Sequence, residues 1–580
     1  MSRALWLYAA LFAAVLPLAS CTTLPDSGPV KAGSAPTVAA NEEFVRPLVD
    51  LPAPDATPEE VVEGFLTATT SPQDNYAVAR TYLTQEAAST WQPSGEVEVR
   101  TDASLQTSFA TGVVDVQFTQ VSTITSKGVL LTAAAENRRR GYTMTQVEGQ
   151  WRIVDPPEPL LLSQRDVERG YRQLNAYFLS PDGALVVPDA RLVQLGQAEA
   201  LATTAVRNML AGPAASRIEA VRSAVPGGLD LALSAVPVAD GIARVDFTDQ
   251  IRDLPDDSLE QFLAQLAWTL EQVPGVSQML VSAQGAVLRL PSSPNPADVD
   301  GWPEYDPDVG PGSLPLLGVD DQGRAVEWVG NSPQVLGQAA EQGPLRSVSA
   351  SAGAGFLVMV PAARDRLIIG PWDDPGQRSA VVKAEIGTSV SVDRRGRLWW
   401  ADRDGRLMVA VPDVDVDAIE DGSANEGSTQ QQPVAFVVRG VRVDVAGEVT
   451  DVEISRDGTR IALIVGSGQR SQALLANVAG TDEAPVVTTP VVVGSPGALD
   501  LSWRSAQTLT VLHGAQQPRL LRFDLFAVEV LNVPAEPSAA AITDSPLDDP
   551  VLVVAGGAAV RSTPSELVPL EGLTQPRYRG

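Results

Sequence analysis

Residue types that carry enzyme or metal chemistry are scarce in this chain of 580 residues. It contains one histidine, His513, and one cysteine, Cys21. These counts exclude an intramolecular disulfide, a Cys/His zinc site and a pair of zinc-binding histidines. His513 follows an apolar run at 509–512, and no G-x-S-x-G serine elbow occurs in the sequence. We therefore interpret His513 as structural and predict no catalytic residue.

Acidic and phosphate-binding patterns are equally weak. Asp413, Asp415 and Asp417 alternate with valines, but the glycine that an EF-hand needs for its sharp turn would fall at Ala418. We favour a solvated acidic strand edge over a calcium site. No G-x-x-x-x-G-K-[ST] phosphate loop occurs, and 71 Asp and Glu residues make chance carboxylate pairs inevitable. The sequence predicts no metal and no cofactor.

The position of Cys21 explains why the chain has a cysteine. Arg3 precedes an apolar stretch at 4–19, which is short for a bilayer span and fits a secretory signal peptide. The segment Leu-Ala-Ser-Cys at 18–21 resembles a bacterial lipobox. This resemblance implies cleavage between Ser20 and Cys21, and conversion of Cys21 into an N-palmitoyl, S-diacylglycerol cysteine. The alternative is a secreted protein or an uncleaved anchor helix, in which Cys21 is incidental.

The charge balance limits the possible partners. Lys and Arg number 42 against 71 Asp and Glu, which gives a net charge of −29. Such a chain is repelled by nucleic acid phosphates and by an anionic membrane surface. We therefore expect no nucleic acid partner. The lipid on Cys21 would hold the protein on the extracytoplasmic face of the cell membrane.

A first α+β domain is predicted over 56–160, after a signal peptide at 1–20 and a lipidated tether at 21–55. The predicted elements are a helix with a capping box at Thr57 and Glu60, a helix from Asp74 to Trp91, a strand at 114–118, and a hairpin of 142–148 with 150–154. The run 138–140, three arginines, is interpreted as a charged hairpin tip rather than a lipid-headgroup contact. The order of elements resembles the cone-shaped fold of the nuclear transport factor two (NTF2) superfamily.

A second α+β domain is predicted over 170–291. The predicted elements are strands at 174–179 and 185–187 joined by a Pro-Asp-Gly turn, a helix at 197–210, a strand at 241–248, a helix opened by a capping box at 257–260, and strands at 276–281 and 286–290. The series resembles the GerMN domain of cell-envelope proteins at 177–179, 210–213, 243–247 and 273–276.

The remaining chain is predicted to be a proline-rich linker at 292–314 and an all-β domain at 315–580. Similar strand phrases begin at residues 348, 390, 452 and 501. Repeats at roughly 40–50 residues are typical of a β-propeller with four strands per blade, once the insertion at 412–433 is set aside. This spacing predicts about six blades. An irregular pair of β-sandwiches is the alternative.

The order of lipobox, tether, NTF2-like domain, GerMN domain and propeller resembles the LpqB lipoproteins of actinobacteria over nearly the whole chain. The resemblance implies a non-enzymatic, membrane-anchored protein that binds and modulates the extracytoplasmic domain of an MtrB-type sensor histidine kinase. It would act in cell-envelope homeostasis and division. The alternative is an envelope protein that binds or processes glycan or peptide at the propeller mouth.

Overall fold

The computed structural model describes the chain from residue 50 to residue 578 with internal gaps. The residues within these limits that it does not describe are 102–104, 196–197, 309–314, 337–342, 351–354, 372–379, 414–434, 482–483, 489, 495, 515–517, 525–526, 532–537, 546–547, 555–556 and 564. The predicted signal peptide, Ser20 and Cys21 lie outside the described residues, and so do Asp415 and Asp417.

The first domain packs three helices against a six-stranded sheet. Its elements are α1 (Pro58–Ala68), α2 (Gln73–Arg80), α3 (Gln85–Thr90), β1 (Val97–Arg100), β2 (Gln106–Ala110), β3 (Val113–Ile124), β4 (Leu130–Val147), β5 (Gln150–Asp155) and β6 (Leu160–Ser163). The strand order is β5-β4-β3-β1-β6, and β2 also pairs with β3. Strand β3 alternates buried and less buried residues along its length, because one face of the sheet covers the core.

Helix α1 begins where the sequence predicts. The Thr57 side chain accepts a hydrogen bond from the Glu60 backbone N–H, and the Glu60 carboxylate accepts one from the Thr57 N–H. This reciprocal capping satisfies two backbone donors that the first helical turn leaves unpaired. The helix then buries Val61, Val62 and Phe65 in the domain core.

The single helix predicted from Asp74 to Trp91 is wrong, because a contact with the sheet divides it. Leu83 forms a parallel bridge with Ile153 of β5, and the Thr84 N–H donates to the Ile153 carbonyl at 2.9 Å. Thr84 then caps α3 by accepting from the Ala87 N–H. Pairing with a distant strand thus interrupts a segment whose periodicity is helical throughout.

The interpretation of 138–140 as a hairpin tip is also wrong. These arginines lie inside β4, where Arg138, Arg139 and Arg140 are paired in register with β3. Arg139 forms an ion pair with Asp115 on the neighbouring strand, and Arg140 forms one with Glu98 on β1. The run is therefore a cross-strand charge ladder on the sheet.

The second domain wraps a mixed sheet and a separate hairpin around two helices. Its elements are α4 (Gln164–Gly170), β7 (Tyr171–Leu179), β8 (Val186–Gln194), α5 (Ala198–Leu210), β9 (Val238–Ala239), β10 (Ile242–Phe247), α6 (Asp256–Glu271), β11 (Gln278–Ala283), β12 (Ala286–Val287) and β13 (Ala297–Asp298). Strands β10 and β11 are parallel, so α6 is the crossover that connects them. The strand predicted at 286–290 is shorter, and the one predicted at 276–281 begins later.

Helix α6 does not use the predicted capping box. It begins at Asp256 after Pro255, with no side-chain cap. Glu260, the predicted partner in the box, instead accepts a hydrogen bond from Trp302 Nε1 at 2.7 Å. The Glu260 carboxylate is therefore bound by Trp302, a residue of the proline-rich segment that follows the domain.

The described part of the predicted linker, 292–308, folds onto the second domain. Strand β13 pairs with β11, and Trp302 is only 1% exposed within the domain core. Asp308 reaches the third domain, where its carboxylate accepts from the Ala506 N–H at 2.5 Å and its carbonyl accepts from Arg456 at 3.1 Å. The segment joins two domains by direct packing.

The third domain consists of antiparallel sheets. Its strands are β14 (Leu316–Val319), β15 (Ala325–Val329), β16 (Ser332–Val335), β17 (Leu345–Ala350), β18 (Phe356–Pro361), β19 (Arg366–Pro371), β20 (Ala380–Lys383), β21 (Ser391–Val392), β22 (Leu398–Ala401), β23 (Leu407–Asp413), β24 (Ala435–Gly440), β25 (Val449–Ile454), β26 (Arg460–Val465), β27 (Gln472–Gly480), β28 (Pro485–Val487), β29 (Val491–Val493), β30 (Ala498–Trp503), β31 (Thr508–His513), β32 (Arg519–Asp524), β33 (Ala527–Leu531), β34 (Ala541–Thr543), β35 (Val551–Val553), β36 (Ala558–Ser562) and β37 (Leu567–Tyr578). Strands β17–β20, β21–β24, β25–β29 and β30–β33 form separate sheets.

The first and last strands of this domain share one sheet. The N-terminal part of β37 pairs with β36, and its C-terminal part pairs with β14. The end of the chain is thereby locked to the start of the domain, which removes two exposed sheet edges. The predicted propeller is confirmed. The count of about six blades and the NTF2-like shape of the first domain stay predictions.

An Asp-x-x-Gly-Arg turn recurs between propeller strands. Asp320, Asp393 and Asp402 each accept, through Oδ1, backbone N–H bonds from the residues two and four positions later. The glycine of the second turn, Gly396, has φ +78°, a left-handed conformation that costs a glycine no steric strain. The three turns connect β14 to β15, β21 to β22 and β22 to β23, so each joins two antiparallel neighbours of one sheet.

Candidate functional site

The inner strands of the propeller surround a channel that contains charged side chains. In the described part of the chain, the strands β17, β21, β25, β30, β34 and the end of β37 each contact the next and close a ring. We call the space inside this ring the central channel. Asp451 and Glu453 on β25, Asp500 on β30 and Arg577 on β37 provide its charges. Three carboxylates thus face one guanidinium.

Arg577 crosses the central channel. Its Nη1 lies 3.3 Å from Glu453 Oε2, and its Nη2 donates to Ser389 Oγ at 2.8 Å. Strands β37 and β25 lie opposite each other in the ring, so the Arg577 side chain joins its two sides. Burial by itself lowers the pKa of Arg577, but the three neighbouring carboxylates outweigh it and hold that pKa above its usual value. Arg577 is charged at every physiological pH.

Two carboxyl groups of the central channel, those of Glu453 and Asp500, have raised pKa values. Burial raises the pKa of Glu453 to about 7; Arg577 opposes this rise and Asp451 adds to it. Burial and the neighbouring Asp451 also raise the pKa of Asp500, whose Oδ2 accepts from the Ile542 N–H at 2.6 Å. Burial and repulsion between neighbouring carboxylates both disfavour the charged form of a carboxyl group, which accounts for the raised pKa values of Glu453 and Asp500.

Glu453 should make the protein less stable as pH rises towards neutrality. Its pKa in the folded state, about 7, exceeds the value of 4.5 of an unperturbed glutamate, so the unfolded chain releases the proton first. Folding stability from this group is therefore fully present below pH ~4.5 and falls as pH rises through ~7. In the unsubstituted protein, the free energy of unfolding should therefore fall by on the order of 2 kcal/mol over that pH interval, and Glu453→Gln should abolish this decrease. The measurement is urea unfolding at a series of pH values.

Glu571→Gln is the matched control for that measurement, because Glu571 lies on β37 but is exposed to solvent. It should leave the pH dependence of unfolding as it is in the unsubstituted protein. An unchanged pH dependence in Glu453→Gln as well would contradict the assignment of this titration to the central channel.

The residues singled out from the sequence lie elsewhere. His513 ends β31, and its Nε2 lies 2.8 Å from the Pro496 carbonyl. Asp413 ends β23. Among the residues that the structure describes, no group of three or more His, Cys, Asp or Glu side chains is placed to hold a metal ion. Within the same ranges, no helix has the length and hydropathy of a membrane span.

Sequence reasoning did not predict the contacts between the second domain and the propeller. Gln507 of the propeller donates to the Tyr177 hydroxyl at 3.1 Å and accepts from Asn175 at 2.9 Å. Arg460 donates to the Pro188 carbonyl at 2.9 Å, and Arg217 donates to Thr459 Oγ1 at 3.1 Å. The 458–460 segment is recognisable in the sequence only as a hairpin turn, with no indication of its partner.

Two α+β domains followed by a propeller whose channel charges pair with one another define a three-domain protein with an all-β C-terminal domain. The family models match in the same order: "Lipoprotein LpqB, N-terminal domain" at residues 51–168, "Sporulation and spore germination" at 175–289, and "Lipoprotein LpqB beta-propeller domain" at 326–567. The chain belongs to the LpqB lipoprotein family, which confirms the resemblance and the three-domain fold class.

Known relatives share most of the chain. Lipoprotein LpqB of Thermobifida fusca is 28% identical over 545 residues, which is 85% of both chains. Lipoprotein LpqB of Cutibacterium acnes is 29% identical over 489 residues, which is 80% of this chain and 73% of the relative. Among solved structures, the tandem GerMN domains of GerM from Bacillus subtilis cover 26% of this chain and 57% of that chain, with 16% identity and a TM-score of 0.19.

Proposed function

We propose that this chain is a non-enzymatic lipoprotein, anchored to the extracytoplasmic face of the cell membrane through Cys21, that binds and modulates the extracytoplasmic domain of an MtrB-type sensor histidine kinase. The family is named for a lipoprotein and not for an enzyme. Attachment to a membrane through a lipid is what the family name, lipoprotein, implies. The kinase partner comes from the resemblance to the LpqB lipoproteins.

The observation that carries the proposal is the pairing of Arg577 with Glu453 and Ser389 across the central channel. A channel that binds or processes a substrate needs a few polar groups that are free to contact it. Here the guanidinium is used to hold opposite sides of the ring together. This pairing favours a propeller that binds a protein partner through its outer surfaces. It argues against the alternative, in which glycan or peptide is processed at the propeller mouth.

The net charge of −29 supports binding to a partner with a basic surface. Opposite surface charges accelerate association and favour one partner over others, and salt weakens this effect. Binding between the two extracytoplasmic regions should therefore weaken as ionic strength rises.

The test is to co-reconstitute the full-length protein and the full-length kinase in proteoliposomes and to measure kinase autophosphorylation. We expect the rate to change when the lipoprotein is present, and the change to shrink at high ionic strength. A kinase that lacks its extracytoplasmic domain is the control and should not respond. No binding and no change in kinase output with the intact pair would refute the proposal.

A further inference from the structure

A cavity of about 630 Å³ lies where the three domains meet. We call it the junction cavity. The first domain contributes residues 129–131, the second contributes residues around Asp189 and Arg217, and the propeller contributes residues of β26, β27, β29, β30, β31 and β32. Its volume is within the range of about 300–1,000 Å³ that is typical of small-molecule sites.

Most of the junction cavity is lined by apolar side chains. The apolar residues that line it are Val129, Leu130, Leu131, Leu475, Val491, Val492, Val493, Trp503, Leu509 and Phe523. Three of them, Leu131, Val491 and Val492, are 51%, 47% and 50% exposed, and they form an apolar rim. Large aliphatic side chains exposed together indicate a surface that an apolar ligand covers or passes.

Two buried arginines give the same cavity a positive wall. Arg217 and Arg460 are 6% and 1% exposed, and both line the cavity. They donate to one carbonyl oxygen, that of Pro188, at 2.8 and 2.9 Å, so the two guanidiniums lie side by side. Burial and the neighbouring Arg217 lower the pKa of Arg460 to about 10, although Asp457, Asp189 and Asp308 oppose this shift.

Two carboxylates lie beside this wall, Asp189, which also lines the cavity, and Asp457, which forms an ion pair with Arg460. Asp189 Oδ2 accepts from Arg191 at 2.8 Å and from the Ala214 N–H at 2.7 Å. Asp457 lies 3.8 Å from Arg460, and its Oδ1 accepts from its own turn. Within the described part of the chain, neither Arg217 nor Arg460 donates a hydrogen bond to a carboxylate, and the buried Nε of Arg217 and the buried Nε and Nη1 of Arg460 have no hydrogen-bond partner. Such groups favour an anion.

We propose that the junction cavity binds an anionic amphiphile with one acyl chain, a fatty acid or a lysophospholipid. The carboxylate or phosphate would lie towards Arg217 and Arg460, and the chain would lie against the apolar lining with its end towards the rim. Apolar area and a cationic wall in one cavity match the two halves of such a molecule. This proposal does not depend on the kinase partner.

The test uses the full-length protein in proteoliposomes with three photoreactive probes of equal chain length: a fatty acid, a lysophosphatidylglycerol and a neutral fatty alcohol. After illumination, proteolysis and mass spectrometry locate the label. We expect an anionic probe to label peptides that contain residues 475–477 or 491–494, with excess unlabelled competitor removing the label. Labelling by the fatty acid alone or the lysophospholipid alone identifies the head group. Equal labelling by the alcohol would overturn the role of the arginines.

Val492→Trp provides the blocked variant, because Val492 is half exposed on the rim and a larger side chain fits there without disturbing the core. Val486→Trp is its control, since Val486 lies in the same sheet, is 52% exposed and does not line the cavity. We expect labelling to fall about tenfold in Val492→Trp and to stay unchanged in Val486→Trp. Leu131→Trp blocks the rim from the first domain and should act like Val492→Trp. Unreduced labelling in both rim variants, or none in the unsubstituted protein, would overturn the proposal.

Discussion

Replacing Arg577 with alanine should lower the free energy of unfolding of the propeller by about 3–5 kcal/mol. The substitution leaves Glu453, Asp451 and Asp500 in the central channel without their positive partner. It also removes the side chain that joins opposite sides of the ring through Glu453 and donates to Ser389. Removing one member of a buried pair costs much more than the pair contributes, because the remaining charge stays buried and unpaired. The measurement is the urea midpoint at neutral pH.

Arg406→Ala is the matched control for this prediction. Arg406 also forms ion pairs in the propeller, with Asp402 and Asp404, but its side chain is 72% exposed. Exposed pairs contribute about 0–1 kcal/mol, so the control should change the midpoint little. Equal effects of the two substitutions would show that the central channel does not depend on Arg577. Protonation of the carboxylates should reduce the difference between the variants at acidic pH.

Replacing Cys21 with serine should release the protein from the membrane. The thiol is the only group in the chain that a lipobox can acylate, and each buried CH₂ of a lipid contributes about 0.8 kcal/mol of membrane affinity. The acidic body offers no attraction to anionic lipids that would replace it. We expect membrane retention to fall at least about tenfold, measured by fractionation and by the intact mass of the N-terminal peptide.

Thr22→Ser is the control for the Cys21 substitution, because it changes a neighbouring residue and leaves the thiol in place. It should leave retention and the lipidated N-terminal mass unchanged. A Cys21→Ser protein that stays in the membrane with residues 1–20 still attached would instead identify that segment as an anchor helix.

Elements with a clear local pattern were predictable from the sequence. Thr57 and Glu60 cap α1 because both partners of the capping box lie within one turn. The turn at Gly149, where φ is +78°, joins β4 to β5 as the alternating strands on either side predict. Such elements are determined by neighbours, so a period of two or 3.6 residues is enough to reveal them.

Elements decided by distant contacts were not predictable. The helical pattern from Asp74 to Trp91 carries no sign of the Leu83–Ile153 bridge that interrupts it. Glu260 has the spacing of a capping residue, yet Trp302 takes its carboxylate. In both cases a tertiary contact overrides a local preference.

The sequence by itself determined the acidic charge and the order of the domains, and it predicts a lipobox at Cys21, since each depends on residue type and position along the chain. Only the tertiary structure decided where the charges meet. Arg577 and Glu453 are 124 positions apart, and Arg460 and Pro188 are 272 apart. No periodicity spans such distances, so the central channel and the junction cavity exist only after the ring closes and the domains pack together.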